Sequence, residues 1–147
     1  MSRRNSNNPG FSLIEIMVVM IIIGILAALV APRLIQRADE ARVTEARIQI
    51  KNFETALRMY KMDNGFYPST DQGLGALVVP PLSGEIPENF REGGYLEKKS
   101  LPADPWDNPY VYISPGEFND YDIISLGADG KPGGEKYDSD ITNLDID

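Results

Sequence analysis

Four acidic residues crowd one glycine-rich stretch near the C-terminus. They are Asp129, Glu135, Asp138 and Asp140, with Gly130, Gly133 and Gly134 among them. Carboxylate oxygens are ligands for hard cations, and glycines let backbone carbonyls turn inward to complete an all-oxygen shell. The spacing is not that of an EF-hand. With Asp129 first, the third position is Lys131, and no Glu closes the loop at the twelfth. Composition alone fits a solvated acidic tail equally well, since Asp145 and Asp147 follow.

A second candidate stands at the other end. From Phe11 to Ala31 the chain runs 21 residues with one charge, Glu15. At about 1.5 Å per residue such a helix spans roughly the 30 Å hydrocarbon core of a bilayer. A charged residue at mid-bilayer costs about 2.5–3.5 kcal/mol on the insertion scale, and less near the end, so it usually has a partner. None of the 17 residues after Glu15 is basic. An N-terminal amine or a neighbouring chain is left to pair with it. The run is longer than the usual apolar region of a secretory signal, and Ala31-Pro32 is a poor cleavage site. A simple signal anchor, held in the cytoplasm by Arg3 and Arg4, explains the length but not Glu15.

Composition removes other chemistries. The 147 residues include no Cys and no His, which excludes disulfides, thiolate nucleophiles and Ser-His-Asp catalysis, and takes the usual ligands from zinc, haem and iron–sulfur sites. The formal net charge is −8. Beyond Arg3 and Arg4, 12 basic residues face 22 acidic ones, which argues against nucleic acid as a partner. There is no Gly-Lys-Ser/Thr phosphate loop and no visible catalytic constellation, so the chain reads as structural rather than enzymatic.

The elements that position these groups follow from periodicity. Val43, Ala46, Ile50, Phe53, Leu57 and Tyr60 recur every three or four residues and mark one apolar helix face. Asn64-Gly65 supplies a stop. One nearly continuous helix is expected from about Ser12 to about Asp63, with a bend or melted turn near Gly24 to Pro32. Prolines and glycines then punctuate the chain, and 68–105 reads as an ordered loop with helical turns. Tyr110–Ile113 and Tyr121–Ile124 predict an antiparallel hairpin, its turn beginning at Ser114-Pro115-Gly116. With a further short strand it would cover the apolar helix face. Trp106 reads as a core aromatic, and Asp104-Pro105 and Asn108-Pro109 as turn formers.

The segment Gly10-Phe11-Ser12-Leu13-Ile14-Glu15, with Val18-Val19 and Ile23-Gly24-Ile25-Leu26 behind it, resembles the type IV pilin and pseudopilin superfamily. The resemblance sharpens to the major pseudopilins of type II secretion through Gly65–Leu74, Gly94-Tyr95-Leu96, Leu101–Tyr110 and Asp122–Gly130 with Gly133-Gly134. Asp107 stands where that family usually has Gly, and Leu144 where an aromatic often follows Asn.

The resemblance implies an α+β pilin fold, with a long N-terminal helix packed on a small antiparallel sheet and a C-terminal metal loop. It implies a leader over 1–10, a membrane and filament-core segment over 11–31, an amphipathic helix over 32–64, a loop region over 65–106, and the sheet with its loop over 107–147. A prepilin peptidase would cut between Gly10 and Phe11 and methylate Phe11. Glu15 would pair with the cationic Phe11 terminus of an adjoining subunit, a pairing that sets register because a slip leaves both charges unpaired. Calcium is the implied cofactor. Asp129 and Asp138 would be side-chain ligands, Leu126 and Lys131 would give carbonyls, and Asp140 or Gly134 would complete the shell.

The implied function is the main structural subunit of a periplasmic filament that drives folded proteins across the outer membrane. Its implied partners are copies of itself, minor pseudopilins, membrane lipid, and an inner-membrane platform with a cytoplasmic ATPase. The implied location is the inner membrane, single-pass, with the N-terminus cytoplasmic and the head periplasmic. A type IV pilus or competence pilin, acting in adhesion, motility or DNA uptake, is the alternative.

Overall fold

The computed structural model describes residues 11–146; the side chains of 31–35 lie outside that description, as does Gly10. Helix α1 runs from Leu13 to Asn64 without interruption. The melted turn expected near Gly24 to Pro32 is therefore absent, and helical backbone continues past Pro32. A proline removes one hydrogen bond from the ladder, which a long helix can lose without melting. The helix crosses two compact units, one ending at Ala38 and the other beginning at Asp39.

In the second unit the apolar stripe is buried as its period requires. Ala46, Ile50, Phe53, Leu57 and Tyr60 are 0% exposed, so they form the floor of the core. The helix stops at Gly65, whose φ of 90° lies in the left-handed region and whose N–H donates to the Lys61 carbonyl at 2.7 Å. Asn64 then ties the exit to the loop above it, donating to the Tyr95 hydroxyl at 2.9 Å and accepting from the Asn89 N–H at 3.0 Å.

Three short antiparallel strands cover the stripe in the order β1 (Val111–Ile113), β2 (Asp122–Ser125) and β3 (Ile141–Thr142). Tyr112 faces Ile123 across β1–β2, and Ser125 faces Ile141 across β2–β3. The expected hairpin is thus present, and β3 is the additional strand. Between helix and sheet, 66–110 is an ordered loop containing a 3-10 turn at Leu74–Leu77. Leu74, Ala76, Leu77 and Tyr95 insert from it into the core, and Trp106 packs partly buried against it. Gln72 pins the outer arc by donating to the carbonyls of Ser83 and Glu85 at 2.8 and 2.9 Å.

Aromatic edges fill much of this small core. Phe53 meets Tyr110 at 5.1 Å, and Tyr67 meets Tyr121 at 4.8 Å, both edge-on. Burial disfavours the phenolate, which pushes Tyr60 and Tyr112 up to about 12 and raises Tyr110 and Tyr121 as well. An unfolded tyrosine titrates near 10. The unfolded chain therefore loses these protons first as pH rises. The stability they contribute is complete below about pH 10 and is lost as pH climbs towards 12. Two units are worth on the order of 2–3 kcal/mol for each tyrosine. Thermal melts of the head should hold steady up to about pH 9 and fall steeply above about pH 10, with phenolate absorbance rising together with unfolding. Phenolate absorbance that develops fully in a still-folded head would contradict this.

Candidate functional site

At the membrane end, Ser12 caps α1. Its Oγ accepts from the Glu15 N–H at 3.2 Å, and its carbonyl accepts from Glu15 and Ile16 at 3.1 and 3.3 Å. The cap fixes Glu15 in the first helical turn, where the helix dipole favours a negative charge. Glu15 lines a hollow of about 240 Å³ with Phe11, Ile16, Val19 and Met20. Among the described residues no cation pairs with it. The segment Leu13–Val30 has a mean hydropathy of 3.0, and none of it is buried. An apolar surface this long and this unburied needs lipid or other helices around it.

At the other end, β2 runs out at Ser125 into the acidic loop, which returns as β3 at Ile141. The loop is folded on itself. The Ala128 N–H donates to the Tyr137 carbonyl at 2.9 Å, and the Asp140 N–H donates to the Gly133 carbonyl at 3.2 Å. Gly127 and Gly134 have φ of 64° and 87°, and a Cβ at either would run into the Asp138 backbone. Two glycines are thus needed for the close approach that shapes the loop.

The candidate ligands take different positions in it. Leu126 is partly buried just after β2, while Asp129, Lys131 and Asp138 are exposed. The Asp129 Oδ1 accepts from the Lys131 N–H at 3.0 Å, an Asx turn. Asp140 is partly buried. Its Oδ2 accepts from the Gly133 N–H at 2.9 Å, while its Oδ1 is buried with no hydrogen-bond partner. A buried carboxylate oxygen without a partner is costly and asks for an explanation. Among the described residues no three acidic side chains converge at metal-holding distance. An ion here would need backbone carbonyls for much of its shell.

One group was legible in the sequence only as turn formers. Asp104 is buried, 4% exposed, and its carboxylate is fully engaged. Oδ1 accepts from the N–H groups of Trp106 and Asn108 at 3.0 and 2.8 Å, and Oδ2 accepts from the Ser125 hydroxyl at 2.7 Å. Asn108 in turn donates to the Gly127 carbonyl at 3.2 Å. The turn therefore clamps the end of β2 and the start of the acidic loop. Asp107, at its apex, has φ of 67°, the left-handed region that suits glycine.

Known proteins resemble this chain in sequence and fold. The family described as Type II secretion system (T2SS), protein G matches residues 33–144, and the Prokaryotic N-terminal methylation motif matches residues 5–31. The chain is 54% identical to the type II secretion system core protein G of Pseudomonas aeruginosa, over 99% of each chain. It is 51% identical to that of Vibrio cholerae, over 98% of this chain and 97% of the relative, and 47% identical to that of Escherichia coli K12, over 96% and 94%. The crystal structure of the major pseudopilin from the type 2 secretion system of enterohaemorrhagic Escherichia coli superposes with a TM-score of 0.67 at 39% identity, covering 78% of this chain and 96% of that one. With a capped, unburied apolar helix at one end and a helix-on-sheet head at the other, this chain belongs to the protein G family of the type II secretion system, the major pseudopilins.

Proposed function

We propose that the chain is held in the inner membrane by Leu13–Val30, N-terminus cytoplasmic and head periplasmic, and polymerises there into a filament whose growth drives folded proteins across the outer membrane. The observation that carries this reading is the apolar helix with a single acidic residue in its first turn, continuous with α1 of a folded head. In a filament, neighbouring helices replace lipid around the segment. Glu15 then meets the amine of Phe11 of an adjoining copy, and the hollow beside Phe11 and Glu15 is where that terminus would approach. Minor pseudopilins, a prepilin peptidase and a platform with a cytoplasmic ATPase complete the set of partners. The ATPase supplies the energy, because this chain carries no phosphate-binding motif.

The acidic loop serves the same subunit as a calcium clasp. The all-oxygen donor set suits a hard cation, and the unpartnered Asp140 Oδ1 is the feature that fits it. The carboxylates of Asp129 and Asp140 would hold the ion with the carbonyls of Leu126 and Lys131. The exposed Asp138 and the backbone of Gly134 stand beside them. Bound calcium would join the two ends of the loop as a cross-link does, in a head without cysteine. The Asp104–Asn108 turn holds Gly127, and so presents the Leu126 end to that shell.

Processing is the direct test of the reading. Mass spectrometry of the subunit purified from membranes should find a chain that begins at a methylated Phe11. An intact Met1, or a cut after Ala31, would overturn it.

A further inference from the structure

Asn-Gly occurs once in the 147 residues, at Asn64-Gly65, where α1 ends. Asparagine before glycine is the pairing most prone to spontaneous deamidation. The glycine nitrogen attacks the asparagine side-chain carbonyl, and a residue without Cβ neither crowds that approach nor resists the backbone bend it needs. Here the Gly65 nitrogen would lose its proton and bond to Asn64 Cγ. The Cγ–Nδ2 bond would break, and Nδ2 would leave as ammonia carrying that proton. Water then opens the cyclic imide at either carbonyl, giving aspartate or isoaspartate.

The folded head holds each reacting group elsewhere. The Gly65 N–H donates to the Lys61 carbonyl at 2.7 Å. Asn64 Nδ2 donates to the Tyr60 carbonyl at 3.0 Å and to the Tyr95 hydroxyl at 2.9 Å, and Oδ1 accepts from the Asn89 N–H at 3.0 Å. Both amide protons and the carbonyl are therefore engaged, and Cγ cannot turn towards the next nitrogen while those bonds last. Two of the three partners belong to the 89–95 loop. That loop is fastened to the end of α1 by Arg91, which pairs with Asp63 at 3.3 Å, and by Tyr95, which packs on Tyr60 with ring centroids 5.2 Å apart. Asn89, Arg91, Glu92 and Gly93 are exposed, the pattern of a segment that opens locally before the core does.

We propose that Asn64-Gly65 is a fold-gated modification site, closed by the 89–95 loop, opened when that loop lifts from the end of α1, and converted by deamidation to a form that cannot hold the loop again. The product makes the step one-way. Aspartate has no Nδ2 protons, so a carboxylate would face the Tyr60 carbonyl and leave it without that donor. Isoaspartate also lengthens the main chain by one carbon at the turn where Gly65 closes the helix. A subunit that dwells loosened is marked and weakened, whereas one that stays folded is spared.

The test compares the full chain folded in detergent with the same chain unfolded in guanidinium chloride, both in warm, mildly alkaline buffer. Mass spectrometry of the peptide containing Asn64 reads asparagine, aspartate and isoaspartate. The folded chain should react about a hundredfold more slowly, because three hydrogen bonds must open together. Tyr95→Phe removes one of them and should raise the folded rate about fivefold, with the unfolded rate unchanged. Arg91→Ala loosens the loop from the surface without touching Asn64 and should move the folded rate the same way. Ile123→Val is the control. It trims a fully buried residue of β2 that takes no part in these hydrogen bonds, so it should lower the melting temperature and leave the folded rate alone. Asn64→Asp should melt below the parent. Equal rates in folded and unfolded chains would overturn the gate, as would parental rates from both Tyr95→Phe and Arg91→Ala. Acceleration by Ile123→Val to match Tyr95→Phe would mean that only global unfolding exposes the site, and would overturn the role of the loop. An Asn64→Asp chain that melts with the parent would overturn the one-way step.

Discussion

Glu15→Ala should leave the subunit inserted and folded while removing most filament growth. The substitution takes a carboxylate out of an apolar segment, so insertion becomes easier rather than harder. The head begins far along the chain, and among the described residues its core uses none before Val43. Abundance in the membrane should therefore stay near normal. Assembly is different. In the proposed filament, helices pack around Glu15 in a low-dielectric surround, and the amine at Phe11 of the neighbour is the counter-charge that would meet it. Removing one partner of a buried ion pair costs about 3–5 kcal/mol, because the other charge stays buried alone. That is a factor of a hundred or more in the addition of a subunit. Glu15→Gln keeps the shape and the Ser12 cap while removing the charge, so it separates packing from pairing. Gln should behave like Ala. Immunoblots of the membrane fraction and counts of sheared filaments measure the two quantities. Normal filaments from either variant would mean that the pairing is unnecessary.

The long helix, its core stripe and its stop were legible because each depends on local chemistry. Alternation of three and four places Ala46, Ile50, Phe53, Leu57 and Tyr60 on one side whatever they pack against. Asn64-Gly65 ends the helix through the backbone of Gly65 itself. A bend or melted turn near Gly24 to Pro32 was expected for an equally local reason, and the melted turn is not there. An interior proline costs about 3 kcal/mol, and the regular helix on both sides of Pro32 outweighs it.

What was not legible depends on pairs far apart in sequence. Asp104 and Asn108 read as turn formers, and they are. Their second partners, Ser125 and the Gly127 carbonyl, lie about twenty residues away and carry no mark of the contact. In the acidic loop, the resemblance named Asp138 a side-chain ligand and left Asp140 or Gly134 to complete the shell. Burial distinguishes them, since Asp138 is exposed and Asp140 has one oxygen turned inward without a partner.

That distinction sharpens the calcium prediction. A head without disulfides, built on three strands of two to four residues, has a modest core. A ligand that binds only the folded state adds RT ln(1 + [L]/Kd), about 2.7 kcal/mol at a hundredfold excess over Kd. Against a typical total stability of about 5–15 kcal/mol this is a large share. The melting temperature of a soluble head lacking the membrane segment should rise with calcium and fall with chelator. Magnesium should substitute poorly, because it demands a smaller and stricter octahedral shell. Asp140→Ala and Asp129→Ala should each remove most of the calcium-dependent rise. In chelator, Asp140→Ala should lose little, since its Oδ1 there has no partner to give up and only the Gly133 contact is lost. Asp138→Ala separates the two ligand sets: an exposed carboxylate outside the shell can go with the calcium response intact. If Asp138→Ala abolishes the response and Asp140→Ala spares it, the inward oxygen of Asp140 is not a ligand. If the melting curve ignores calcium and chelator alike, the loop is a solvated acidic turn held by its own hydrogen bonds.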